Sequence, residues 1–342
     1  MSEVVIKIYR GNLIENLYRG DLSIVNKNSN SIYSLGDEQK LTYWRSAAKP
    51  IQALPVIYSG AFQKYGFTDQ ELAIMAASHN GEEKHIRLVS SILEKINLSE
   101  KDLKCGICPP VYRPTANYLK KNGITISPIY NPCSGKHVAQ LALCQYYGWP
   151  IDDYYTVNHP VQQMILDVVS NISEYPKENI YLGIDDCTVP VFGMPIKNMS
   201  KAYASIANWE LLSKKYKQAA QKIFSSLLDN PEIIGGTDRF DTDLMKVLDG
   251  NLIAKSGADG VFCIGIRNDK KNSGLGITIK MESGNMRFMP MAVIRILGQT
   301  RILSEKQIQK LKKYIPSDIL NYRDEKIGCI VSDFELKKIN IE

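Results

Sequence analysis

The sequence lacks any long hydrophobic run. No apolar stretch approaches the 18 or more residues that a membrane-spanning helix needs. The first twenty residues, MSEVVIKIYRGNLIENLYRG, also lack the basic stretch and long apolar core of a secretion signal. Hydrophobic residues make up 44% and charged residues 23% of the chain, which is ordinary for a globular protein. We therefore expect a cytoplasmic protein without a membrane partner.

Internal repeats and low-complexity linkers are missing as well, which argues against independently folding modules. The 342 residues exceed the roughly 250 to 300 at which a single core usually stops growing. Strand-like alternation comes first, helical periodicity follows, and strands return after about residue 180. This order predicts one α/β catalytic unit, residues 1–342, with two lobes. Residues 1–45 and 180–342 would form an α/β lobe whose sheet gathers both chain ends, and residues 46–179 an inserted, mainly helical lobe.

A concentrated basic region is also missing. The net charge of +6 comes from 42 basic and 36 acidic residues spread along the chain. The densest basic segments, SKKYKQAAQK and QKLKKY, have helical patterns in which alternating lysines mark a solvated face. Nucleic acid is therefore not an expected partner, since a basic stripe is its first requirement. A slightly positive surface suits a small acidic or zwitterionic ligand.

Disulfide bonds are not expected, because a reducing compartment keeps thiols free and the chain has an odd number of cysteines, seven. The segment KCGICPP holds a C-x-x-C pair, Cys105 and Cys108. No second pair accompanies it, and the two prolines that follow indicate a loop. We do not expect redox or metal chemistry at this pair.

The segment NPCSGKHVAQLALC combines a helix start with candidate metal ligands. A proline and a serine open the helix, and apolar residues follow at helical spacing. Cys133 and Lys136 lie in the first turn, on one side of it. This spacing matches half of a metal knuckle, with a lysine where a second cysteine is usual. Cys187, in IDDCTVP, would complete a three-ligand set, and a plain buried thiol is the alternative.

Serine and lysine pairs are the candidate catalytic groups. RSAAKP places Ser46 and Lys49 on one face of a helical turn. In such an S-x-x-K arrangement the amine takes the serine proton, provided that burial or a neighbouring charge such as Arg45 keeps the amine neutral. In AKSGADGV, Lys255 would form a second pair with a serine from elsewhere. A solvated lysine and a tight hairpin are the respective alternatives.

Six motifs taken together resemble the L-asparaginase II family of the Rhizobium etli inducible type. They are RSAAKPIQALP, ASHNGE, NPCSGKH, NHPVQQ, GGTDRFDTDLM and AKSGADGV, in this order between about residue 10 and about residue 285. The resemblance implies a fold similar to that of serine β-lactamases and penicillin-binding proteins, with a mainly antiparallel sheet. It also implies a homodimer.

The resemblance further implies roles for individual residues. Ser46 and Lys49 match a first Ser–Lys couple, and Ser78 and Lys255 match a second. The implied zinc ligands are Cys133, Lys136 and Cys187. The implied substrate-binding residues near the site are Arg45, His137, Asp185, Asn80 and Gly257. Three segments depart from the family pattern: Asp186 and Thr188 replace glycine and a small residue, Asp238 replaces glycine, and CGICPP has cysteine where histidine is common.

The expected reaction is hydrolysis of the side-chain amide of L-asparagine to L-aspartate and ammonia. Analogy with S-x-x-K enzymes favours Ser46 as the nucleophile, with Ser78 as its rival. Two other enzyme functions remain open: a glutaminase, and a penicillin-interacting serine hydrolase. A non-catalytic protein that binds zinc or an amino acid is the alternative from another class.

Overall fold

The computed structural model describes residues 1–248, 250–268 and 273–339. The strands in this part of the chain are β1 Glu3–Arg10, β2 Leu13–Asn26, β3 Ser31–Leu35, β4 Leu41–Tyr43, β5 Tyr181–Ile184, β6 Pro190–Pro195, β7 Leu252–Gly257, β8 Val261–Asn268, β9 Ser273–Met281, β10 Asp318–Leu320, β11 Lys326–Val331 and β12 Lys337–Lys338.

The helices lie mostly between β4 and β7. They are α1 Lys49–Gln52, α2 Leu54–Tyr58, α3 Ala61–Lys64, α4 Asp69–Met75, α5 Glu83–Lys95, α6 Arg113–Lys121, α7 Ser134–Tyr147, α8 Pro160–Ser173, α9 Ile196–Ala207, α10 Lys214–Asp229, α11 Pro231–Ile234, α12 Phe240–Leu248, α13 Met289–Gln299 and α14 Glu305–Lys310. A 3₁₀ turn, Arg45–Ala48, leads directly into α1.

The larger sheet has the strand order β10-β11-β1-β2-β9-β8-β7, and β3 pairs with both β2 and β12. Its strand pairs are antiparallel; for example, Lys7 of β1 lies opposite Val331 of β11. The predicted α/β fold with an antiparallel sheet from both chain ends is confirmed. The smaller sheet, β4-β6-β5, was not anticipated as a separate sheet. The division into two lobes stays a prediction.

Helix α9 is the central helix, and it packs on β2, β8 and β9. Gly276 of β9 makes this packing possible, because a Cβ there would lie 1.8 Å from the carbonyl oxygen of Ser200. The sequence patterns did not predict α9, which is buried along most of its length and has only a narrow, partly exposed polar stripe formed by Lys197, Lys201 and Ser205.

Local sequence signals set the ends of the helices near the site. Thr68 and Glu71 form a capping box at the start of α4. Gly148 follows the last residue of α7, and its φ of 70° is the left-handed conformation that glycine adopts readily. None of the helices in the described ranges has both the length and the apolar character needed to cross a membrane.

Candidate active site

Lys49 lies at the start of α1, and its side chain is fully buried. Its amine donates hydrogen bonds to the Ser78 hydroxyl at 2.9 Å, to the Ala77 carbonyl at 2.7 Å and to the Pro132 carbonyl at 3.2 Å. These three acceptors match the three donors of an ammonium group. Lys49 therefore contacts Ser78, although the motif spacing paired Lys49 with Ser46; the catalytic pairing stays a prediction.

Lys255 lies on β7 and is also buried. Its amine donates to the carbonyl of Ser256 at 2.7 Å. Burial lowers the pKa of Lys255 to about 7, and the positive charge of Lys49 acts in the same direction, while the Asp241 carboxylate opposes it. A neutral amine, the form that accepts a proton, is thus accessible near neutral pH.

A cavity of about 490 Å³ brings the two serines together. Its polar wall comprises Ser46, Ser78, Arg239, Asp241, Ser256 and Gly257. Phe240, Phe262 and Met289 contribute to the apolar part of the lining. The cavity thus offers hydroxyl nucleophiles in partly apolar surroundings, which strengthens electrostatic interactions with a bound substrate.

Gly257 brings the end of β7 close to the turn that carries Ser46. A Cβ at Gly257 would lie 2.8 Å from the Trp44 carbonyl oxygen and 3.2 Å from the Ala47 nitrogen. The structure therefore places Gly257 in the cavity wall, where its lack of a side chain permits the backbone approach.

Arg45, next to Ser46, has three carboxylate partners. Its guanidinium donates to Asp185 at 3.0 Å, to Asp186 at 2.6 Å and to Asp259. Arg45 and Asp259 both have positive φ values, 51° and 56°, a conformation that costs free energy in residues other than glycine. Motif analysis anticipated Arg45 and Asp185 but missed Asp186 and Asp259 as their neighbours, because that pairing depends on tertiary structure.

Asp185 links Arg45 to Lys136. The Lys136 amine lies 3.4 Å from the second carboxylate oxygen of Asp185. Although burial disfavours its ionised form, the charges of Lys136 and Arg45 hold the pKa of Asp185 below its usual value. Asp185 is therefore an anion that positions two cations.

The three predicted metal ligands converge on one point. The Cys187 thiol donates to a carboxylate oxygen of Asp185 at 3.7 Å, and the Lys136 amine lies 3.4 Å from the same oxygen. The neighbouring Cys187 thiol and the charges of Lys49 and Lys136 lower the pKa of Cys133, although burial opposes this effect. Within the described residues no group of three or more His, Cys, Asp or Glu side chains is arranged to hold a metal ion. The donor set of two thiols and an amine nevertheless fits zinc chemically.

His137 follows Lys136 on α7 and is buried below the site. Its Nδ1 lies 2.6 Å from the Tyr154 hydroxyl. Burial holds the pKa of His137 well below its ordinary value, and the charges of Lys136 and Lys49 act in the same direction. The imidazole is therefore neutral.

The loop before α12 is fastened to the segment that follows Ser78. Asn80 donates to the Thr237 carbonyl at 3.3 Å, and Glu82 accepts from the Thr237 amide and hydroxyl. Gly236 has a φ of 110°, and a Cβ there would lie 2.3 Å from the Asn80 side chain. Asn80 thus stabilises this loop through its hydrogen bond to Thr237, and a direct role in binding substrate stays a prediction.

Two departures from the family pattern adopt the left-handed backbone conformation. Asp238 has a φ of 58° and Thr188 a φ of 77°. Glycine adopts this conformation at little cost, which is consistent with the glycine that the resemblance implies at the position of Asp238. Thr188 gains a compensating hydrogen bond from its hydroxyl to the Lys104 carbonyl at 2.8 Å.

Asp241 and Arg239 are site residues that were not assigned from the sequence. Asp241 is buried, and one of its oxygens accepts from the Ser256 amide at 2.8 Å and from the Ser256 hydroxyl at 2.7 Å. Arg239 donates to the same hydroxyl at 3.3 Å. Both lie in GGTDRFDTDLM, which was noted as a motif without roles for its charged residues.

A family model described as L-asparaginase II matches residues 6–332. The comparison with curated proteins finds no match. Among solved structures, the chain is similar to a probable glutaminase from Bacillus subtilis complexed with 6-diazo-5-oxo-L-norleucine, at 13% identity and a TM-score of 0.40, with 83% of this chain and 84% of that chain covered. It is also similar to a Bacillus glutaminase in 4.3 M NaCl, at 12% identity and a TM-score of 0.39, with 83% and 91% covered. At such low TM-scores we draw nothing further from the likeness.

Proposed function

The chain belongs to the L-asparaginase II family and is an amidohydrolase, and on that premise we propose that it hydrolyses the side-chain amide of L-asparagine to L-aspartate and ammonia. The observation that carries this proposal is the buried hydrogen bond between the Lys49 amine and the Ser78 hydroxyl. That hydroxyl lines the same cavity as Ser46.

The proposed chemistry is acyl transfer through a serine. The serine oxygen attacks the amide carbon, and its proton passes to a neutral lysine amine. The tetrahedral intermediate then collapses, the lysine returns the proton to the departing nitrogen, and ammonia leaves. Water releases aspartate from the acyl-enzyme by the same route. Ser46 is the proposed nucleophile by the S-x-x-K analogy, and the contact with Lys49 makes Ser78 a strong rival.

Lys255 supports this chemistry because its pKa of about 7 makes a proton acceptor available at neutral pH. Lys49 contributes to that lowering through charge repulsion. We propose that Lys255 exchanges protons with Ser78 as the second Ser–Lys couple.

We propose that Cys133, Lys136 and Cys187 hold zinc, as in the Rhizobium etli inducible type of the family. A bound zinc ion would favour the deprotonated ligands and leave a fourth coordination position open. Asp185 contacts Lys136 and Arg45 and so links the ligands to the turn that carries Ser46. The proposed effect of the metal is on substrate affinity, through the position of these residues.

We also propose a homodimer of serine β-lactamase-like subunits in the cytoplasm. These proposals rest on the resemblance of the six motifs. Sedimentation velocity of the purified protein measures the subunit number directly, and a monomer across the working concentration range would contradict the dimer.

The test of function is ammonia release from L-asparagine by the purified protein, with L-glutamine and a chromogenic β-lactam measured in parallel. Release from L-asparagine that exceeds release from L-glutamine supports the proposal. One methylene changes discrimination by only about 1 to 3 kcal/mol, so some glutamine turnover is compatible with it. A reversed preference indicates a glutaminase, and β-lactam turnover without amide turnover indicates a penicillin-interacting hydrolase.

The metal is tested in the same assay after chelation and after reconstitution with zinc. Loss of rate at low substrate that is recovered at saturating substrate gives zinc the proposed affinity role. An unchanged rate after verified zinc removal contradicts that role.

A further inference from the structure

Arg239 contributes the guanidinium of the cavity that holds Ser46 and Ser78. It donates a hydrogen bond to the Ser256 hydroxyl at 3.3 Å. A guanidinium has five N–H donors in a planar fork that matches a carboxylate. We infer that Arg239 binds the α-carboxylate of the amino-acid substrate, so that the enzyme acts on a free amino acid; this inference rests on the proposed function.

The other cations of the site are already engaged. Lys49 donates to three oxygen acceptors, and Arg45 is paired with three carboxylates. Lys136 is enclosed by two thiols and Asp185. Among the residues that the structure describes, Arg239 forms no ion pair, which leaves its fork available to a ligand.

Lys255 is a poor partner for a substrate carboxylate. It is buried behind Ser256, to whose carbonyl it donates at 2.7 Å. Burial also lowers its pKa to about 7, so a large fraction of it is neutral near that pH. Arginine, in contrast, stays protonated at every pH at which the enzyme would work.

The Asp241 carboxylate offsets the positive charges of Arg239 and Lys255 without forming an ion pair with the Arg239 guanidinium. One oxygen of this carboxylate accepts hydrogen bonds from both the amide and the hydroxyl of Ser256. The charge of Arg239 helps to lower the pKa of this buried carboxyl, although burial opposes that effect. Asp241 therefore holds Ser256 in place while Arg239 faces the cavity.

The loop that carries Arg239 is held in position before substrate arrives. Thr237 is bound by Glu82 and Asn80. At the other end, the Thr242 hydroxyl donates to the Gly236 carbonyl at 2.9 Å. Because Asn80 and Glu82 follow Ser78 in the chain, these contacts fix the distance between the carboxylate-binding group and the proposed reaction centre, which reduces the entropy lost on binding.

The experiment compares two substrates that differ only in the α-carboxylate. L-Asparagine carries it, and β-alaninamide has the same amine and amide but a hydrogen in its place. Ammonia release by wild type, Arg239→Gln and Arg239→Lys is measured as kcat/KM for each substrate. Arg323→Gln, the same change at an exposed arginine paired with Glu325, is the matched control. Thermal melting of each variant verifies folding.

We expect Arg239→Gln to lower kcat/KM for L-asparagine about 30-fold, in line with the loss of a charge-assisted hydrogen-bond pair. The value for β-alaninamide should change by less than about 3-fold, since that substrate has no carboxylate to lose. Arg239→Lys should lie between, because it keeps the charge and loses the fork. The control should match wild type with both substrates.

Equal losses with both substrates would overturn the inference and make Arg239 a structural residue. An unchanged preference in Arg239→Gln would overturn it as well. If wild type releases ammonia from neither L-asparagine nor L-glutamine, the proposed function fails, and binding then tests Arg239 separately. L-Aspartate should raise the melting temperature of wild type more than β-alanine does, and Arg239→Gln should remove that difference; equal shifts in wild type would overturn the inference.

Discussion

At the scale of single residues, Ser46 and Ser78 are the two candidates for the proposed nucleophile. Ser46 follows the strained Arg45, and Ser78 accepts the hydrogen bond from Lys49. A diazoketone analogue of asparagine, 5-diazo-4-oxo-L-norvaline, should alkylate the nucleophilic serine. We expect peptide mass spectrometry to find the adduct on Ser46, to retain it in Ser78→Ala and to lose it in Ser46→Ala. An adduct on Ser78 that survives Ser46→Ala would reverse the assignment.

Lys255 gives a prediction about pH. Because burial lowers its pKa to about 7, kcat/KM should rise as pH increases through that value and the amine loses its proton. Lys255→Arg should be inactive across the range, since its guanidinium stays protonated. A pH–rate profile of wild type without an inflection near 7 would show that Lys255 is not the titrating base.

The same residue should affect stability with a defined sign. The pKa of Lys255 is lower in the folded chain than in the unfolded chain, so the unfolded state binds more protons between about pH 7 and about pH 10.4. Its contribution therefore destabilises the protein below pH 7, and this penalty decreases as pH rises from 7. Comparing the pH dependence of urea unfolding in wild type and Lys255→Met measures this contribution, and parallel curves would contradict it.

Short motifs predicted those site residues that come with a local signature. The S-x-x-K spacing singles out Ser46 and Lys49 as candidates because residues three apart share one face of a helical turn, and it does not reveal the contact of Lys49 with Ser78. Asp259 has no such signature: it is a turn residue between β7 and β8, and only the fold brings it to Arg45. Arg239 likewise lies in a loop whose Thr237 carbonyl accepts from Asn80, and this contact also depends on the fold.

At the scale of elements, the start of α7 packs closely on the end of α4. A Cβ at Gly135 would lie 2.0 Å from the carbonyl oxygen of Ile74. This approach places Cys133 and Lys136 near the segment after α4, which includes Ser78. The glycine of the motif NPCSGKH is therefore required for the close packing of α7 on α4.

We expect Gly135→Ala to lower the free energy of unfolding by about 1 to 3 kcal/mol, the usual cost of overpacking a core, and to weaken activity by moving Lys136. Gly298→Ala in α13 is the control, because its Cβ would meet only the end of the Ile308 side chain, at 3.3 Å. Alanine is the better helix former, so the control should be neutral or gain up to about 1 kcal/mol. Urea unfolding measures both, and equal stability of the two variants would contradict the packing argument.

Helix periodicity predicted the amphipathic helices α5 and α8, since each has one face toward the core. It missed α9 because that helix is buried on several sides. The strands β10 and β11 were missed as well; both are short, and they are defined by pairing with each other and, for β11, with β1 rather than by their own pattern. Elements with a local amphipathic signal were therefore predictable, and elements defined by their neighbours were not.

At the scale of the whole molecule, Trp44 joins the two sheets to the central helix. Its backbone amide donates to the Phe192 carbonyl of β6 at 2.8 Å, and its indole N–H donates to the Cys263 sulfur of β8 at 3.4 Å. Its ring lies 6.4 Å from that of Tyr203 on α9. Because Arg45 and Ser46 come next in the chain, the same junction that joins the sheets positions the proposed nucleophile.

This junction predicts that the protein unfolds as one unit. Guanidinium unfolding followed by far-ultraviolet circular dichroism and by tryptophan fluorescence should give coincident transitions. Trp44→Phe removes buried volume and the bond to Cys263, and it should lower the free energy of unfolding by about 1 to 3 kcal/mol. If the sheets and the helices of residues 46–179 are coupled through Trp44, the two signals shift together in the variant. Separate transitions, or a shift confined to one signal, would show that the predicted lobes unfold independently, and the turn carrying Ser46 would then be positioned by one lobe alone.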